Sequence, residues 1–126
     1  MAQVLVYSNA DMALLIPIVA EAGHRVVEAY DSDEVVHLVL RGQFDIVMLP
    51  NEASPIDGLE LLPLVRRLVL GAIVVVGHGD DAAIANSLLE GADAYLRHPV
   101  HPATLRIRLH TLLRRRPWVM GQAPGI

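Results

Sequence analysis

Four consecutive apolar residues, Ile46-Val47-Met48-Leu49, follow Asp45 and end abruptly at Pro50. An apolar run without polar alternation reads as a strand covered on both faces, the condition of a parallel sheet between layers of helices. Pro50 has no backbone N–H to give a ladder, so the expected strand is Asp45 to Leu49. Loop chemistry takes over with Asn51, Ser54 and Pro55, and Asp57-Gly58 suits a turn and cap leading into the next helix. In sheets of this kind the working side chains collect just past the carboxyl ends of the strands. Position 50 is therefore the first place to look for chemistry, and its side chain has none to offer.

The same punctuation recurs along the chain. Gln3–Tyr7, Arg25–Ala29, Ala72–Val76 and Ala94–Arg97 read as further strands. Helices are expected over Met12–Ala22, closing at Gly23; over Val35–Arg41, after the acidic cap region Asp31 to Glu34; and over Leu59–Leu68. Two more run from Asp80-Asp81 to about Glu90 and from about Pro102 through Arg116, where Leu105, Leu109 and Leu112 make one core-facing stripe. Pro63 falls near a first turn, where it is tolerated. Pro17 falls mid-helix, where it must kink the helix or delay its start, at a cost of roughly 3 kcal/mol if unrelieved. Strands alternating with helices through short loops imply right-handed parallel crossovers. The expected fold is α/β, a doubly wound five-stranded parallel sheet in the order 2-1-3-4-5 with five helices. It would occupy residues 1–116, with 117–126 a linker or flexible tail. Its crevice, where the first strand meets the third, would be lined by Ser8, Asn9 and Pro50, with Gly77, His78 and His98 contributed by the last two strands.

Composition narrows the chemistry. A chain of 126 residues, 53 % apolar and 19 % charged, suits one domain with one core. All ten basic residues are Arg, so no lysine-dependent chemistry is available. Cys is absent, which removes disulfides, thiolate nucleophiles and cysteine zinc sites. A net charge of −4 leaves no electrostatic footprint for nucleic acid, and no apolar run approaches the roughly twenty residues of a bilayer span. With no signal-type segment at the amino terminus, a cytoplasmic location is expected.

The runs VLVYSN, DIVMLP followed by IDGLELL, AIVVVG and above all EGADAYLRHPV resemble the receiver domains of two-component response regulators, the CheY-like branch of the flavodoxin-like fold. The resemblance covers about residues 3 to 116. It implies an aspartate that accepts a phosphoryl group at the end of strand 3, an acidic pair that holds Mg²⁺ after strand 1, a Ser/Thr after strand 4 and a Lys after strand 5. Here those positions are Pro50, Ser8 with Asn9, Gly77 and His98. All depart from the pattern. Proline cannot form an acyl phosphate, and neutral Ser8 and Asn9 are poor ligands for a hard cation. Asn51 and Glu52 cannot take over directly, because neighbouring strand-end residues point to different sides. Tyr95 matches the family's switch aromatic, and with Gly77 as its partner no hydroxyl is left for it to follow. Asp93 and Arg108 match interface charges of a symmetric dimer, formed in one branch by the fourth helix, fifth strand and last helix. The neighbouring acidic position is Ala94, so such a dimer would lean on Ile84, Leu88, Leu89 and Val100.

The expectation is a receiver domain that works without phosphorylation, is not an enzyme, needs no cofactor, and acts on a protein partner, its own output domain or a second copy. It would touch neither nucleic acid nor membrane directly. The alternative is a sensor with a ligand or metal in the emptied pocket, near Glu52 and His78. Six histidines raise the metal question, with His78, His98 and His101 close to adjacent strand ends. No four-ligand spacing is visible, so polar loop residues and no metal centre are expected. Asp80-Asp81 reads as a helix cap, and Arg114 to Arg116 as a helix end or the start of a linker. The turn after strand 1 lacks a phosphate cradle for FMN, and no nucleophile elbow frames Ser8. The isomer of the His98-Pro99 bond stays open.

Overall fold

In the computed structural model, which describes residues 1–114, the elements run β1 (Gln3–Tyr7), α1 (Ala10–Ala13), α2 (Ile16–Glu21), β2 (Arg25–Ala29), α3 (Ser32–Arg41) and β3 (Ile46–Pro50). They continue with α4 (Leu61–Leu68), β4 (Ala72–Gly77), α5 (Asp81–Glu90), β5 (Ala94–Arg97) and α6 (Pro102–Arg114). All strand pairs are parallel and the order is β2-β1-β3-β4-β5. Arg115-Arg116 and the expected tail 117–126 lie outside the described residues.

Successive strand residues face opposite sides, and both sides are packed. Val4, Val6, Ile46, Met48, Val74, Val76, Ala94 and Leu96 meet α1, α2 and α6 through Met12, Leu15, Val19, Leu105, Leu109 and Leu112. Leu5, Val47, Leu49 and Ile73 meet α3 and α4 through Val35, Val39, Leu61 and Val65. That division is why the central strands read as unbroken apolar runs.

The first helical passage differs from the expected single helix. Pro17, in the first turn of α2, has no N–H to give the preceding turn, so the helix breaks and restarts. The junction closes with tight bonds from the Leu14 and Leu15 N–H groups to Asp11 O and Met12 O, 3.3 and 2.9 Å long.

Pro50 also differs: it is the last residue of β3, paired with Val76. The Asn51 N–H donates to Val76 O at 3.0 Å, so alternation turns position 50 toward β1. The β1 ladder ends at Met48, and no donor is missed there. Asp57 and Gly58, at φ 51° and 79°, form a two-residue turn closed by paired bonds between Ile56 and Leu59. They do not cap α4, whose N-cap is Glu60.

Candidate functional site

The crevice at the carboxyl ends of β1, β3, β4 and β5 is built mainly from loop residues held by backbone contacts. Ser8 leaves β1 with its N–H on Ala29 O at 2.7 Å. Asn9 is the N-cap of α1, its Oδ1 accepting from the Met12 N–H at 2.8 Å. Pro50 is half-buried at the end of β3. Glu52 is exposed in the following loop and does not line the cavity beside Pro50, whose walls include Asn51, Glu60, Ala83, Asn86 and Glu90. Mg²⁺ does not fit this set. Ser8 carries no charge, the Asn9 oxygen is engaged as a cap, and the Pro50 side chain has no donor atom.

Gly77 is buried at the end of β4 for a local steric reason. A Cβ there would stand 2.5 Å from the Asn51 Cβ and 2.8 Å from the Tyr95 hydroxyl. A Cβ at Gly79 would stand 2.7 Å from the same hydroxyl. The two glycines make a seat for Tyr95, whose Oη accepts from the Gly79 N–H at 2.9 Å. From the same strand, Arg97 Nε donates to the Gly79 carbonyl at 3.1 Å. In sequence, glycine in a loop reads as freedom. Here it is the absence of a side chain that lets a neighbouring strand's tyrosine turn inward.

His98 follows β5, its N–H on Gly77 O at 2.9 Å, and the His98–Pro99 peptide is cis. Its ring lies 4.9 Å from that of His78, and His78 Nε2 lies 3.2 Å from Asp11 Oδ2. His101 is occupied differently, its Nδ1 accepting from the Ala103 N–H at 3.1 Å in the first turn of α6. Asp11 carried no signal in the sequence beyond helix capping, because it lies 67 residues from His78.

Beside the crevice, α5, β5 and α6 present apolar residues to solvent. Leu88 and Leu89 are 45 % and 85 % exposed, and Ile107, which patterning did not single out, is 66 % exposed. Ile84 and Val100 are half-buried, and Arg108 is exposed. Asp93 is engaged within the chain: its Oδ2 accepts from Arg66 Nη1 at 2.9 Å and from the Ile73 N–H at 2.8 Å.

A parallel sheet in this order, with its crevice where β1 and β3 diverge, is the flavodoxin-like fold that CheY-like proteins share. The chain belongs to the response regulator receiver domain family, whose sequence profile matches residues 8–110. Among curated relatives, the transcriptional regulatory protein AfsQ1 of Streptomyces coelicolor is 32 % identical over 94 residues, 74 % of this chain and 42 % of the relative. The transcriptional regulatory protein TcrA of Mycobacterium tuberculosis is 33 % identical over 107 residues, 83 % of this chain and 42 % of the relative. The chain thus spans less than half the length of these relatives. A two-component response regulator from Clostridium difficile superposes with TM-score 0.83 at 24 % identity, covering 93 % of this chain and 99 % of that one. A receiver domain protein from Clostridium thermocellum gives 0.79 at 23 %, covering 94 % and 99 %. No helix among the described residues is long and apolar enough to cross a membrane.

Proposed function

We propose that this receiver domain works without being phosphorylated and signals by protein–protein contact through the α5–β5–α6 face, on which a second copy of the chain docks by two-fold symmetry. The observation that carries the first half is Pro50, which stands at the strand end where an acyl phosphate would have to form. The Asn9 oxygen engaged as a helix cap and the buried, side-chain-free Gly77 support the same reading. In this reading the domain has no catalytic role of its own.

The docking half rests on Leu88, Leu89 and Ile107, large apolar side chains open to solvent on the helices before and after the edge strand β5. With Asp93 held by Arg66 and an alanine at position 94, ion pairs have little part in the contact. An isologous patch around these residues would cover about 800 Å² per subunit if it is of standard size. The named relatives are transcriptional regulators, which makes control of an attached or separate output domain the natural use of such a dimer.

Two measurements test the proposal. Intact-mass analysis after incubation with acetyl phosphate and Mg²⁺ is expected to find no added phosphoryl group; stoichiometric labelling would overturn the first half. Sedimentation equilibrium is expected to give a dimer that Leu89→Asp with Ile107→Asp converts to monomer. A wild-type chain that stays monomeric, or a double variant that still dimerises, would overturn the second.

A further inference from the structure

Asp11, His78 and His98 come from three separate segments, the first helical turn after β1 and the loops after β4 and β5. Each offers one ligand atom, and the three atoms lie within 4.8 Å of one another. We propose that this trio binds a divalent cation of the zinc, cobalt and nickel class at the mouth of the crevice, in place of the hard cation that the crevice does not fit. The inference is independent of the docking face.

The donor set argues for the cation class. Two imidazoles and one carboxylate are borderline ligands that suit Zn²⁺, Co²⁺ and Ni²⁺, whereas Mg²⁺ demands oxygen in near-octahedral array. The spacing argues for a single ion. Ligands at about 2.0–2.2 Å from zinc in a tetrahedral site stand roughly 3.3–3.6 Å apart. Asp11 and His78 already meet at 3.2 Å. The wider separations close by side-chain rotation, which is open to Asp11 and His78 because both are exposed. Three protein ligands leave at least one coordination position for water or an exchangeable anion.

The position also matters. Gly79, held at its N–H by Tyr95 and at its carbonyl by Arg97, is the next residue after His78. Ligation would therefore tie the loop after β4, already fixed to β5, to the start of α1 as well.

The test uses the untagged 126-residue chain, titrated with Zn²⁺ against a chromophoric chelator. One ion per chain is expected, and His78→Ala and His98→Ala should each weaken binding by at least about tenfold. Asp11→Asn is expected to weaken it less, and His101→Ala and His110→Ala are expected to leave it unchanged. At a hundredfold excess over Kd, Zn²⁺ should raise the melting temperature by about 8 °C or more, while Mg²⁺ should not. Co²⁺ should give tetrahedral d–d absorption and broaden backbone amide signals around residues 11, 78 and 98. His78 and Asp11 are exposed, so their variants should melt like wild type without metal, separating lost ligation from lost folding. Absence of saturable one-to-one binding, or affinity unchanged in the His78→Ala, His98→Ala double variant, would overturn the proposal.

Discussion

At Gly77 the missing side chain is a structural requirement. Restoring a hydroxyl by Gly77→Thr would drive its Cβ into Asn51 and the Tyr95 hydroxyl, so the variant is expected to lose about 1–3 kcal/mol and release Tyr95 toward solvent. Urea denaturation and the ring signals of Tyr95 check both effects; unchanged stability with an unmoved ring would show that the seat is looser than the distances imply. Pro50→Asp alone is expected to remain unlabelled by acetyl phosphate, because the carboxylates that would hold the cation are still missing. Labelling should require Ser8→Asp and Asn9→Asp as well, and Asn9→Asp keeps a good helix cap. Intact mass distinguishes the single from the triple variant.

Between elements, Arg66 of α4 does more than a helix-surface arginine usually does. Its fork donates to the carbonyls of Val69, Gly71 and Gly91 and to Asp93, joining the end of α4 to the loop before β4 and to the turn that leads from α5 into β5. Arg66→Ala is expected to destabilise the domain by about 1.5–3 kcal/mol, with Arg66→Lys recovering only part, since an ammonium cannot span the same acceptors. Chemical denaturation of the two variants measures this. Nothing in the sequence set Arg66 apart, because its partners lie in other segments and its helical spacing reads as surface. Strands were far more legible. The sequence bounds match β1, β2 and β5 to the residue and β4 to within one; two-sided burial accounts for β1 and β4, whereas β2 and β5, at the sheet edges, are partly exposed. Where local chemistry had two outcomes, at Pro17 and Pro50, the neighbours decided: a restarted helix in one case, a sheet edge with no donor to lose in the other. Of the three residues proposed as a metal site, His78 and His98 were placed near one another by the expected strand order, and Asp11 was hidden for a different reason. Such sites are recognised in sequence by short spacings on one element, and here topology alone brings together residues 11, 78 and 98.

For the molecule as a whole, the proposed docking on the α5–β5–α6 face would give association an apolar character. Apolar contact is screened little by salt, whereas ion pairs weaken as the Debye length falls from about 10 Å at 0.1 M to about 3 Å at 1 M. The self-association constant is therefore expected to hold or rise across that range, as sedimentation at the two salt concentrations would reveal; a steep fall would hand the interface to Arg108 and its charged neighbours. Leu89→Asp by itself should alter folding stability by no more than about 0.5 kcal/mol, because Leu89 is 85 % exposed in the single chain. The grip of Tyr95 and Arg97 on Gly79 has one more consequence. A loop clasped at both the N–H and the carbonyl of one residue has little room to toggle, so under the proposed function a partner reading the neighbouring face would learn how much of the protein is there, and the message would be set by supply.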